Sequence, residues 1–407
     1  MIADPQHRDE RHRQVSDLLT FGAAARVPGG FAWLDEVGRP TPGQPLRLYV
    51  ASRMTHVYAL AHLLDHPGAQ ELAAHGIDSL RTSFADGVYG GWYAAVPGPH
   101  GGRGDDTKAG YPHAFVMLAA ASASTAGVPG ADELLEQACA LYLDRFWQEE
   151  VQMPVEDWDR TFSRCSAYRG ANSSMHALEA MLAVADATRD TAWLDRGEAV
   201  ARRLMRVARE HDWRLPEHYD PQWRPDLDVC RDTPEDPVRP HGATPGHGLE
   251  WARLLVQLQV ATERAGRTPA EDWTGWAGSL VERAVADGWA PDGADGFVYT
   301  VDFDGRPLVR RRMHWVLCEA LGAAAVLWQR TGQERYTGWY QQWWQFAWQH
   351  QIDHQGRSWH HELDADLRPS AQIRPGKADL YHAVQACLLP DLPLRGSLAA
   401  AVQAQHS

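Results

Sequence analysis

The chain has 407 residues, is 44% hydrophobic and 23% charged, and carries a formal net charge of −14, values of an ordinary globular protein with apolar surface for a large core. That acidity excludes the basic footprint that nucleic-acid backbones and acidic membrane surfaces require, so neither is an expected partner. The polar start, "MIADPQHRDERHRQ", and the lack of any stretch near eighteen uninterrupted apolar residues argue for a cytoplasmic protein with no membrane span.

In chain order, apolar residues recur with helical spacing and very little strand is expected. Alternate helices begin with related segments: "RMTHVYALAHLL", "GYPHAFVMLAAA", "SSMHALEAMLAV", "PGHGLEWARLL", "RMHWVLCEALGA" and "LYHAVQACLLP". Turn signals such as "HPGA", "GVPGAD", "TRDTAW" and "RTGQERY" separate each from a second helix. Short hairpins are expected at "GGWYAAV", "RLPEHYD" and "GFVYTVDFDGRP", as decoration of a rim. Each leading segment places a histidine just before or within the first helical turn. These are His56, His113, His176, His247, His314 and His382, at intervals of 57, 63, 71, 67 and 68 residues.

A near-fixed period marks a repeated unit that cannot bury its apolar face alone. An open row of repeats needs polar ends, yet the last segment is as apolar as the others, so closure into a ring is the better expectation. The predicted fold is therefore all-α, an (α/α)6 barrel forming one domain over residues 1–407. Its inner helices run parallel, and six histidines meet on the floor of one funnel. Five widely spaced cysteines without a CxxC pair read as core thiols. Eighteen tryptophans, four of them in "GWYQQWWQFAW", read as packing rather than sugar platforms.

A histidine at a helix N-terminus tends to stay neutral, because the helix dipole disfavours a second positive charge, and so serves as a base near pH 7. Glu250 follows His247 by three positions, Arg53 precedes His56 by three, and Asn172 precedes His176 by four, each pair on one helix face. Several chemistries compete for this pattern. Zinc binding lacks HxxxH or HExxH spacing. Glycoside hydrolysis needs two carboxyl groups, for which Asp105, Asp106, Glu179, Glu250 and Asp379 are available. A noncatalytic carbohydrate-binding toroid explains the aromatics but leaves the histidines without a purpose.

"TPGHGLEWARLL" and "KADLYHAVQACLLP", with "AGYPHAF" and "GANSSMHALEAM", resemble the N-acylglucosamine 2-epimerase superfamily of (α/α)6 barrels over nearly the whole chain. The Trp-x-Arg continuation in "GHGLEWARLL" and the "LYHAVQACLLP" end are similar to its branch of bacterial aldose–ketose isomerases acting on mannose and on sulfoquinovose. The resemblance implies that His247 and His382 are paired acid/base groups, and that Arg53, Tyr111, Asn172, His176 and Glu250 contact a small monosaccharide. Lys377, in "RPGKADLYH", is implied as a rim contact. No metal and no cofactor are implied. The implied reaction is ring opening and proton transfer through a cis-enediol, with His382 working at carbon and His247 at ring opening, or the reverse. Mannose and fructose are the default pair and lyxose and xylulose a second, since Arg310, Arg311 and Arg312 of "LVRRRMHW" read as a solvated helix start rather than a sulfonate pocket. A sugar 2-epimerase is the nearest alternative and a glycoside hydrolase the next.

Overall fold

The computed structural model describes residues 2–99 and 101–405. Among them thirteen α-helices alternate with loops: α1 (Pro5–Gly22), α2 (Leu48–Leu63), α3 (Ala69–Arg81), α4 (Gly110–Thr125), α5 (Ala131–Leu141), α6 (Ala171–Thr188) and α7 (Ala192–Glu210), then α8 (Pro245–Arg264), α9 (Trp273–Gly288), α10 (His314–Thr331), α11 (Glu334–Phe346), α12 (Tyr381–Leu388) and α13 (Leu398–Gln405). Strands are two or three residues long. The even-numbered helices α2 to α10 are buried nearly all round, as in α4, where every residue from Pro112 to Ala123 is buried. The odd-numbered ones bury a single stripe, such as Ala69, Ala73, Ile77 and Leu80 of α3. α13 lies beyond the last segment that the repeat reading recognised.

Two compact units make up the chain. The first holds Leu19–Val200, Ala378–Tyr381 and the stretch from Arg395. In it α2 packs on α3 and α4, α4 packs on α5 and α6, and α13 lies against α2, α4 and α6. The second holds the residues up to Leu18, Ala201–Lys377 and His382–Leu394. There α8 packs on α9 and α10, and α10 packs on α11. The tryptophans of α11 are used in packing: Trp343 stacks on Trp339 with centroids 5.9 Å apart, and Trp344 stacks on Tyr340 at 6.3 Å. All five cysteines are free thiols. Among the described residues no helix is long and apolar enough to cross a membrane.

The short strands do more than decorate a rim. Leu46–Arg47 pairs with Ala95–Val96 and runs directly into α2, while Lys108–Ala109 pairs with Asp157–Trp158 and runs into α4. In the second unit Arg312–Met313 pairs with Glu362–Leu363 and runs into α10, and a bridge from Ala243 to Val301 precedes α8. None of these helices has a side-chain cap. Instead the first helical N–H of Leu48, Gly110 and His314 donates to the carbonyl of Ala94, Glu156 and His361, at 3.0, 2.6 and 3.0 Å. A strand thus satisfies an N–H that a helix start leaves unpaired, and fixes where the helix begins.

That fixed start corrects the histidine register. His113, His247, His314 and His382 stand in the first turn, but His56 is the ninth residue of α2 and His176 the sixth of α6. The register that does recur is wider. Arg53, Phe115, His176, Glu250 and Glu319 are each the sixth residue of their helix. Tyr49, Tyr111, Asn172, Gly246, Trp315 and His382 are each the second.

Candidate active site

In the second unit, His247 and His382 are each held from behind by a buried carboxylate. His247 Nδ1 lies 2.8 Å from both oxygens of Glu217, which also accepts the Thr244 N–H at 3.2 Å. His382 Nδ1 lies 2.8 Å from Oε1 of Glu319, whose other oxygen accepts from Arg253 Nε at 2.9 Å. An ionised carboxylate can only accept, so in both rings Nδ1 carries the hydrogen and Nε2 is left as the basic nitrogen. Arg253 also reaches Gln257 Oε1 at 3.1 Å and Glu250 Oε1 at 3.4 Å, which ties Glu250 and Glu319 to one guanidinium.

Trp315 touches both histidines. Its ring centroid is 5.0 Å from that of His247 and 5.8 Å from that of His382. The "PGH" start of α8 follows from this contact, because a Cβ on Gly246 would come within 2.6 Å of the Trp315 ring. His314 turns its edge to His382 at 6.3 Å and stacks flat on His361 at 3.8 Å. Lys377 is buried and ion-paired with Asp353 at 2.7 Å.

The first unit gathers Arg53, Tyr111, Asn172 and His176. Arg53 donates to Asp379 Oδ2 at 3.1 Å and to the Tyr111 hydroxyl at 2.8 Å, with its guanidinium 4.5 Å from the Phe115 ring and 4.7 Å from that of Tyr381. Burial opposes its charge, but Tyr111, Asp379, Tyr381 and Tyr49 outweigh that effect and raise its pKa. His176 lies 4.5 Å from Phe115 and 5.2 Å from Tyr111, and its Nδ1 faces Glu179 at 3.4 Å. The Tyr381 hydroxyl donates to the same Glu179 carboxylate. Asn172 Oδ1 is buried without a hydrogen-bond partner among the described residues, as an atom that waits for a ligand hydroxyl would be.

Two of the six aligned histidines have internal duties. His113 Nδ1 donates to the Ala109 carbonyl at 2.6 Å and its Nε2 accepts the Trp92 N–H at 3.2 Å. Burial pushes its pKa down to about 3. His56 Nδ1 meets the Ser122 hydroxyl at 2.7 Å, deeper along α2.

Glu217, Arg253, Trp315, Glu319 and Tyr381 were not singled out from the sequence as site residues. Glu319 had a signal, since it shares the helical register of Glu250; Glu217 sits in "RLPEHYD", a stretch read as a hairpin. Carboxylate oxygens of Glu250 and Glu319 and a ring nitrogen of His382 lie within 4.8 Å of one another, a set able to hold a cation. Arg253, bonded to both carboxylates, already supplies positive charge there. Arg311 and Arg312 are not a solvated helix start: Arg311 binds Glu362, and Arg312 holds Asp292 through two nitrogens.

Residues 29–386 match the family model described as N-acylglucosamine 2-epimerase (GlcNAc 2-epimerase). A protein named D-mannose isomerase from Thermobifida fusca is 47% identical over 399 residues, which span 97% of this chain and 97% of that one. A crystal structure of a D-mannose isomerase matches with a TM-score of 0.86 at 26% identity, covering 94% of this chain and 97% of the other. The cellobiose 2-epimerase of Spirochaeta thermophila matches with a TM-score of 0.79 at 21% identity, over 95% and 96% of the two chains, and shares the fold alone. The fold is that of the (α/α)6 barrels.

Proposed function

The chain belongs to the N-acylglucosamine 2-epimerase family, and from that membership we propose that it is an aldose–ketose isomerase that interconverts D-mannose and D-fructose, with D-lyxose and D-xylulose as a second pair. The observation that carries this reading is the matched pair of histidines, each with Nδ1–H anchored on a buried carboxylate and Nε2 left basic. The family match runs through both units, which supports residues 1–407 acting as one catalytic domain. Its free thiols suit a reducing, cytoplasmic setting.

In the proposed mechanism His247 moves the proton that opens the pyranose ring. His382 Nε2 then takes the proton from C2 while O1 is protonated, which gives the cis-enediol. Loss of the O2 proton and return of a proton from His382 to C1 complete the ketose. As His382 becomes an imidazolium, Glu319 stabilises it, and Arg253 keeps Glu319 ionised for that role. Arg53, Tyr111, Asn172, His176 and Glu250 hold the sugar and the electron-rich enediol oxygens. Lys377, committed to Asp353, supports the loop that leads to His382 rather than meeting sugar directly. No external electron carrier is needed, because oxidation at C2 is balanced by reduction at C1.

Glycoside hydrolysis fits less well. Asp379 and Glu250 each face a guanidinium and Glu179 accepts from the Tyr381 hydroxyl, contacts that favour the ionised form, and Asp105 and Asp106 are exposed. A hydrolase needs one carboxyl group kept protonated. A sulfonated sugar also fits less well, since Arg311 and Arg312 already face carboxylates. Incubation with D-mannose, D-glucose, D-fructose and D-lyxose, followed by separation of the products, tests the reading. Fructose should form from mannose and xylulose from lyxose, with activity unchanged after thorough EDTA treatment. Conversion of mannose to glucose as the main product would replace the isomerase with a 2-epimerase, and loss of activity in EDTA with recovery on added zinc would call for a metal.

A further inference from the structure

"PVEDWD" and "LPEHYD" place a glutamate at the same point of two connecting loops, Glu156 ahead of α6 and Glu217 ahead of α8. Only the second stands behind a proposed base. Glu217 accepts the N–H of Thr244, the residue that precedes α8, at 3.2 Å, and meets the side chain of His247, the third residue of that helix. Glu156 repeats the arrangement on α6. Its Oε2 accepts the N–H of Gly170, the residue that precedes α6, at 3.1 Å, and the hydroxyl of Ser173, the third residue of the helix, donates to the same oxygen. A serine thus stands where α8 carries its histidine.

Two helix starts meet at Glu156. Its carbonyl accepts the N–H of Gly110, the first residue of α4, at 2.6 Å, while its carboxylate holds the start of α6. Glycines make both approaches possible: a Cβ on Gly110 would come within 2.5 Å of that carbonyl oxygen, and one on Gly170 within 3.2 Å of Glu156 Oε2. Gly170 offers α6 no side-chain cap, and the helix dipole favours an anion at this end. One step into each helix stand Tyr111 and Asn172, both proposed to hold the sugar. Asn172 lies between the two groups that the carboxylate grips, and its buried Oδ1 has no hydrogen-bond partner among the described residues. No hydrogen bond there fixes that oxygen, so its position follows from the helical turn that Glu156 holds.

From this geometry we infer that Glu156 is a positioning residue, whose carboxylate sets the first turn of α6 so that Asn172 presents its amide to the substrate. The inference rests on the isomerase reading and on Asn172 as a sugar contact; Glu156 itself meets no sugar. Because a serine and not an imidazole faces this carboxylate, its loss weakens the hold on the sugar and leaves proton transfer as it was.

The test is kcat and KM for D-mannose in wild type, Glu156→Ala, Glu156→Gln and Ser173→Ala, and in the same substitutions combined with Asn172→Ala. Glu156→Ala should raise KM about five- to tenfold, the worth of the one neutral hydrogen bond by which Asn172 would hold the sugar, with kcat within about twofold of wild type. Glu156→Gln keeps an oxygen that accepts from Gly170 and Ser173 and should recover most of the loss. Ser173→Ala, which removes one of the two contacts, should raise KM about threefold. In the Asn172→Ala background none of these substitutions should raise KM further. If Glu156→Ala does not fold, Ser173→Ala with and without Asn172→Ala carries the same comparison. An unchanged KM in Glu156→Ala or, failing that, in Ser173→Ala would overturn the inference. So would a KM rise of equal size in the Asn172→Ala background, or a Glu156→Gln enzyme no better than Glu156→Ala. A wild-type protein that converts neither mannose nor lyxose would instead overturn the isomerase reading itself.

Discussion

His113 and His382 stand at nearly the same point of their helices, yet their Nδ1 atoms face partners of different chemistry, a backbone carbonyl and a carboxylate. His113 spends both nitrogens on backbone groups, the Ala109 carbonyl and the Trp92 N–H. His382 spends Nδ1 on Glu319 and presents its ring to Trp315 and His314. A backbone clamp yields a neutral structural imidazole, while a carboxylate behind Nδ1 yields an oriented base whose cationic form is stabilised. The choice of the second partner, rather than the histidine itself, separates a scaffold residue from a proposed base.

The largest effect that sharpens this contrast is loss of either proposed base. His382→Ala or His247→Ala should lower kcat by at least about a hundredfold, with the helical circular dichroism retained; a variant within tenfold of wild type would remove that residue from the chemistry. Next comes the carboxylate. Glu217→Gln keeps an oxygen able to accept from His247 Nδ1–H but loses the charge, so kcat/KM should fall by about ten- to hundredfold, the worth of a charge-assisted hydrogen bond, while KM moves little. Equal activity in that variant would mean that Glu217 merely fills space.

The smallest catalytic effect should come from His113→Ala, whose cost is in folding. Removing the ring leaves the Trp92 N–H and the Ala109 carbonyl unpaired, a loss of about 2–4 kcal/mol in denaturant unfolding, with kcat of the folded enzyme within a few-fold of wild type. The pH dependence carries the same signature. With its pKa down to about 3 in the folded protein against an ordinary value near 6.5, the unfolded chain binds the extra proton between those values. The contribution of His113 is therefore complete above about pH 6.5 and lost progressively as pH falls toward 3. Unfolding free energies of wild type and His113→Ala should converge over that window, and parallel curves would contradict the assignment.

The helices, their alternation and the residues of the two proposed bases were legible because helical periodicity and the "GHGLE" and "LYHAVQ" segments are local in sequence. Histidine spacing alone overreached. It aligned His56 and His176 with helix starts, although Leu46–Arg47 sets the beginning of α2 two residues ahead of Val50 and puts Tyr49 in the first turn. The carboxylates behind the bases were illegible for a different reason. Glu217 lies 30 residues before His247 and Glu319 lies 63 before His382, and only tertiary packing brings them together. Likewise nothing local marks Gly246 as the gap that admits Trp315.

The most direct test of the central claim follows the hydrogen at C2. If His382 alone works at carbon, it carries the proton from C2 to C1 on one face of the enediol, and D-mannose deuterated at C2 should give fructose that retains part of the label at C1. His382→Ala should abolish that transfer, and glucose should form only as a slow side product. Glucose that appears faster than fructose, with solvent hydrogen at C2, would contradict the claim, because inversion requires a second base on the opposite face.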